Sequence, residues 1–264
     1  MSIGKGPRMS ANQQSVREFD DAHSAYYESL KTFFLCAIFF LIIGSYTLAK
    51  ELGTSIFMST VGKYYVLYAK PLTILILVPA IAFYSKLVDK LRRYQILCVY
   101  TLFFGITGMI FSYFIGHETI GMPNTHQSPS RLFGWLFYLF IEGYSPLIVG
   151  TMWAFANSIN SPAGAQRNYG LMVAASKIGG ALTAGLAWML FMIQTNSGHH
   201  YMSDVTLHQI AFGVSSLLLV MVPIVVLVMM RYVPGKFLHG YEAAYQVEKQ
   251  KSKAGKSDTG VLVG

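Results

Sequence analysis

Residues 32–52 read TFFLCAIFFLIIGSYTLAKEL, eighteen positions without a charge before Lys50 and Glu51. A bilayer hydrocarbon core of roughly 30 Å takes about 20 apolar residues of helix to cross. This stretch has the length and chemistry of a membrane span. The residues before it are polar and include Lys5, Arg8, Arg17, Glu18, Asp20 and Asp21, which is not the pattern of a cleavable signal, so the run is expected to be a retained span.

Working outward, the same pattern recurs at 66–85, 94–115, 132–156, 169–193 and 208–232. Six spans are expected, and the fold class is an all-α polytopic membrane protein with a six-helix transmembrane bundle. Composition agrees: 53% of residues are hydrophobic, 12% are charged and the mean hydropathy is +0.45, which excludes an ordinary soluble domain. The organisation expected is a polar segment over 1–31, the helical domain over 32–232 and a basic tail over 233–264.

Lys and Arg beside short loops stay in the cytoplasm. One set of segments carries Lys31, then Lys86, Lys90, Arg92 and Arg93, then Arg167, then Arg231, Lys236, Lys249, Lys251, Lys253 and Lys256. The alternate loops hold only Lys63 and then none over 116–130 and 194–207. Both chain ends are therefore expected inside, as in a multi-pass protein of a bacterial cell membrane. On this reading the net charge of +8 reports topology and contact with anionic lipid, not nucleic-acid binding.

Two ends of the chain have their own character. Val16, Phe19, His23, Tyr26, Tyr27 and Leu30 recur at helical spacing, which suggests a short amphipathic helix in the interface. Val261, Leu262 and Val263 resemble the start of another apolar element, and the expectation is that the chain is part of a longer carrier. Cys36 and Cys98 fall inside different spans and read as small apolar side chains, and the His199-His200 pair reads as a solvated loop without a third metal ligand. No metal site or cofactor is expected.

A charge in mid-span costs about 2.5–3.5 kcal/mol on insertion scales, so it faces protein or water. Glu142 lies at the centre of the fourth span, with Tyr138 one turn before it and Ser145 one turn after. Lys177 lies a third of the way along the fifth. Lys50 and Glu51 close the first span and Lys70 opens the second, where long side chains can also reach the interface. Three lysines against two carboxylates bias a shared cavity toward anions, and a lysine suits phosphate oxygens without demanding one geometry. Glu142 and Lys177 have a second reading, as a buried ion pair. In the fifth span, Ser176, Gly180 and Ala184 form one row of small residues, and Lys177, Ala181 and Gly185 form another beside it. Such rows either bring helices together or leave room for a solute. Neither a glycine-rich phosphate loop nor a Ser-His-Asp arrangement is present, so no enzyme chemistry is expected.

Two sets of residues carry a family resemblance. Ser85-Lys-Leu-Val-Asp89-Lys90-Leu-Arg92-Arg93 resembles the short charged loop that major facilitator carriers place between their second and third spans. More widely, Tyr46-Thr-Leu-Ala-Lys50-Glu51, Ala69-Lys70-Pro71, Glu142-Gly-Tyr, and Trp153-Ala-Phe-Ala-Asn157 followed by Ala165-Gln-Arg167-Asn-Tyr169 resemble the ATP/ADP translocase family of intracellular bacteria and plastids. The resemblance covers roughly residues 30–235. It implies the amino-terminal half of a major facilitator-like carrier that exchanges ATP for ADP, with a second six-helix half as partner. It also implies that Lys70 and Glu142 occupy charged positions needed for transport and that Lys50 and Glu51 are a basic-acidic pair; Asn157, and Tyr138 and Lys177 from their places within the spans, are the further residues expected at the substrate site. Asp89, Lys90, Arg92, Arg93 and Arg167 would form the gating loops. Where the family continues with another Lys-Asp, this chain has Gly53-Thr54, and Lys177 is the expected replacement cation. The alternatives are a proton-coupled carrier for another organic anion or a drug, working through Glu142, and a membrane scaffold that transports nothing.

Overall fold

The computed structural model describes residues 11–196 and 203–238, without the side chains of 11–22, 89, 193–196 and 236. The Val16, Phe19 and Asp89 side chains, the His199-His200 pair, Lys5, Arg8 and the tail beyond 238 lie outside what is described.

Six α-helices follow one another: α1 (Ala11–Thr60), α2 (Val66–Lys90), α3 (Arg93–Ile115), α4 (Leu132–Ile159), α5 (Pro162–Asn196) and α6 (Asp204–Tyr232), with single 3₁₀ turns at Lys63–Tyr65 and Gly235–Phe237. Each of the six contains a stretch long and apolar enough to cross a membrane, and the chain is a multi-pass membrane protein. Among the described residues there is no strand. Lipid offers backbone groups no partners, so each segment must satisfy its own through i→i−4 bonds.

The ends are set by local chemistry. Ser161 accepts the Gly164 amide at 3.1 Å on its hydroxyl, with Pro162 as the first helical residue of α5, the arrangement that suits a helix start. Ser203 caps α6 in the same way through the Thr206 amide at 3.1 Å, with Asp204 in the first turn. After α1 the chain reverses at Gly62, whose φ of +118° suits a residue without a Cβ.

Helix α1 is the axis of the bundle, touching α4, α5 and α6, while α3 packs on α4 and α6 and α2 lies chiefly against α4. Glycines let the backbones approach. A Cβ on Gly108 of α3 would meet Ser216 of α6 at 2.4 Å, and one on Gly179 of α5 would meet the Phe40 carbonyl of α1 at 2.5 Å. Ser45 of α1 and Ser215 of α6 each donate to the other's carbonyl at 2.8 Å, so this polar contact is internally satisfied. Packing is uneven. In the apolar window of α2 only 6% of the residues are buried and in that of α5 22%, against 50% in α1.

The structure corrects two expected boundaries. The amphipathic segment ahead of the first span is part of α1 itself, which runs unbroken from Ala11 to Thr60. The helix carrying the first span also continues eight residues beyond Leu52, because Ile56, Phe57, Thr60 and Val61 are buried against α4. Lys50 and Glu51 therefore do not close that helix.

Candidate functional site

Depth along the bundle follows from the contacts between α1 and α4. The Tyr46 and Tyr144 rings pack edge to face at 5.5 Å, and a Cβ on Gly53 would touch Ile141 at 2.6 Å. Lys50 lies between Tyr46 and Gly53 on α1, and Glu142 lies between Ile141 and Tyr144 on α4, so the two are level. From α1's end at Thr60 that level is about 15 Å inward at 1.5 Å per residue.

Direction follows from the helical repeat. Thr47 faces Gly180 of α5, and Gly53 faces Ile141 of α4. Lys50 is three residues from each, which points it between those contact lines into the gap separating α4 from α5. Its ammonium lies over the ring of Tyr46, 5.7 Å from the centroid. Glu51 is exposed as well, but it is turned about 100° away, toward the α5 side. Glu142 is half-buried on the α1 side of α4. Tyr138, one turn before it, is buried against Phe57 at 4.8 Å. Pro146 has no N–H to give to the Glu142 carbonyl, so a backbone acceptor is available at the carboxylate's depth. Beside it, Gly143 and Gly150 have nothing within 4 Å of a Cβ, and with Pro146 they form a bare strip on one face of α4.

The other two lysines lie at different depths. Ala69 of α2 packs with Phe57, Val61 and Tyr138, which puts Lys70 about 10 Å nearer than Lys50 to the end of the bundle where α1 meets α2. Lys70 shares its side of α2 with Ile81, Ser85 and Val88, which line a pocket against Ala154 and Asn157 of α4. On α5, Gly179 and Gly180 meet Phe40, Ile43 and Thr47, so Lys177 is about 15 Å from Lys50 toward the opposite, basic end. Lys177, Ala181 and Gly185 form the exposed row of α5, and Gly185 touches nothing. Ser176 and Gly180 are buried on α1, while Ala184 of that row is exposed. The two rows thus divide the work that the sequence left undivided, one mainly for packing and one open.

Lys50, Lys70 and Lys177 are exposed and none of them, nor Glu51 or Glu142, is in an ion pair among the described residues. The expected alternative of a Glu142–Lys177 pair is therefore not realised, and the two differ in depth. Lys50, Lys70 and Lys177 stand on exposed faces of α1, α2 and α5, with Glu142 half-buried on α4, and not inside a closed chamber.

The remaining candidates gather at the basic end. Asn157 accepts a hydrogen bond from the Tyr169 hydroxyl and lines a pocket of about 590 Å³ with Arg93, Ser85 and Ser158. It is some fifteen residues along α4 from Glu142, about 22 Å, and belongs to the mouth of the groove. The α2–α3 loop is only Leu91 and Arg92, with Lys90 in the last turn of α2 and the Arg92 amide donating to Gln95 at 3.1 Å. Arg167 is exposed on α5 and lines a different pocket from Arg93.

Two cations outside the expected site hold parts of the structure together. Lys31 is wholly buried, paired with Glu28 at 2.8 Å and donating to the carbonyls of Ile159 at 3.3 Å and Phe237 at 3.4 Å. It closes the C-terminal end of α4, where the helix dipole favours a cation. Arg131, expected as an interfacial anchor, donates to the carbonyls of Asn124 at 2.8 Å and Ile120 at 2.9 Å and so organises the α3–α4 loop. Cys36 and Cys98 are free and half-buried. The chain matches no protein-family model, no curated protein and no solved structure.

Proposed function

We propose that the chain is a six-helix unit of a nucleotide carrier that exchanges ATP for ADP by alternating access. What supports this reading is that Lys50 of α1 and Glu142 of α4 lie at one level, that Lys50, Lys70 and Lys177 are exposed, and that none of the three is in an ion pair among the described residues. Unpaired ammonium groups at bilayer depth are costly and favour a polyanion as their counter-charge. The lysines span about 25 Å of depth, so phosphates pass from one cation to the next. Glu142 accepts from a ribose hydroxyl or a base amino group.

Exchange follows from the same charges. The empty groove resists closing because closure dehydrates uncompensated lysines, and a bound nucleotide removes that penalty. A second six-helix half completes the chamber by covering the open face, as in carriers built of two repeats. The basic end lies in the cytoplasm of a bacterial cell by the positive-inside argument.

In the complete carrier, expressed in a host that does not take up nucleotides, Lys70→Ala and Glu142→Gln are each expected to abolish uptake of labelled ATP. Normal uptake by both variants removes the site. The half-buried carboxylate of Glu142, which is in no ion pair among the described residues, favours a second reading, in which Glu142 carries a proton for another organic anion. In that case unlabelled ATP and ADP do not compete, and collapse of the proton gradient stops uptake.

A further inference from the structure

Between α2 and α3 a cleft of about 410 Å³ has Ala80, Phe83 and Leu87 of α2 on one side, Val99 and Phe103 of α3 on the other, and Leu147 of α4 at its back. The two helices are joined at the basic end by Leu91 and Arg92 alone, and the Tyr84 and Tyr100 rings, 5.9 Å apart, hold the walls at a fixed spacing beside the cleft. Phe83, Val99 and Phe103 are 61%, 47% and 58% exposed, so the cleft stands open. Its walls offer apolar surface and no charge, which suits neither a nucleotide nor a free phosphate and does suit a hydrocarbon chain.

The charges at the mouth say what the chain belongs to. Lys90 continues the row of Ala80, Phe83 and Leu87 at helical spacing, Lys86 lies one turn deeper on its flank, and both are exposed. Over 86–93, Lys86, Lys90, Arg92 and Arg93 stand against the one carboxylate of Asp89, so the turn is positive whichever way Asp89 points. Basic residues gathered at one end of a span draw anionic headgroups. The walls run from about 5 Å to about 15 Å from that turn, the reach of an acyl chain through half of a hydrocarbon core of roughly 30 Å.

We infer that the α2–α3 cleft holds an acyl chain of an anionic glycerophospholipid whose phosphate lies at Lys86 and Lys90. The cleft opens on the side of α2 turned away from Lys70, and the assignment does not depend on the nucleotide reading. The full chain, purified in mild detergent, is titrated with phosphatidylglycerol and with phosphatidylcholine and followed by native mass spectrometry. Phosphatidylglycerol is expected to be retained selectively, because the choline cation would meet the basic turn. Lys86→Gln combined with Lys90→Gln is expected to weaken that retention about thirtyfold, at about fivefold for each lysine beside an anionic headgroup. Val99→Trp fills the cleft and is expected to lower the retention of both lipids. Lys86, Lys90 and Val99 are all exposed, so these variants leave the core intact. Equal retention of the two lipids, or undiminished retention in either variant, would overturn the assignment. A dimer of the chain that Val99→Trp disrupts would overturn it too, by putting a second copy in the cleft.

Discussion

Lys31 and Lys50 stand on the same helix about five turns apart and have opposite surroundings. Lys31 is fully buried, and its ammonium meets a carboxylate and two carbonyls. Lys50 is exposed, with only the face of its own helix's Tyr46 at 5.7 Å. The protein hides a lysine where it can satisfy it completely, and where it leaves one unsatisfied it leaves it open. Under the proposed function, the contrast separates structural charge from charge held for a ligand. The same division runs down α5, where Gly179 and Gly180 press on α1 while Gly185 meets nothing.

Substitutions at matched positions break or sharpen this contrast. Lys31→Met removes the cation from a buried pair and is expected to cost about 3 kcal/mol or more, read as thermal unfolding of the chain in detergent. An unchanged midpoint would mean that the buried lysine is not structural. Gly179→Ala puts a Cβ against backbone of α1, which has no flexible side chain to move aside, and should cost about 1–3 kcal/mol in the same assay. Ser215→Ala loses one half of the reciprocal contact with Ser45 and should cost about 1 kcal/mol. A double-mutant cycle with Ser45→Ala isolates the coupling, and purely additive losses would show that the pair is not coupled. Gly185→Ala, on the open row, should be neutral or stabilising by up to about 1 kcal/mol, since alanine is the better helix former. A loss there comparable to that of Gly179→Ala would show that the second row packs after all.

Much of the architecture is legible in the sequence because lipid permits so few solutions. A run such as 208–232 can only be a span, and the structure has a helix at each of the six expected places. Depth was harder to read. Lys50 looks like the end of a span because charge usually marks an end, yet Ile56, Phe57 and Thr60 carry α1 further through contacts with α4 that no local pattern reveals. Lys31 looked like an ordinary topology signal because its partners Ile159 and Phe237 are far away in sequence. The candidate charges were recognisable by their scarcity in apolar surroundings, but their shared face was not. The helical repeat places a residue on its own helix and says nothing about which helix comes next to it. Asn157 shows the same limit, since its motif placed it with Glu142 and the structure sets it at the mouth with Arg93.

The central claim is that the face bearing Lys50, Lys70, Glu142 and Lys177 is wet and prefers anions. In a chain with Cys36 and Cys98 replaced by serine, single cysteines are introduced in the membrane-embedded protein at Gly150→Cys and Ala181→Cys on that face, and at Val214→Cys on the outer side of α6. Anionic and cationic water-soluble thiol reagents are then compared. The account predicts that the first two positions react, faster with the anionic reagent, and that the third does not. Failure of both groove positions to react, or faster reaction there with the cationic reagent, would contradict it.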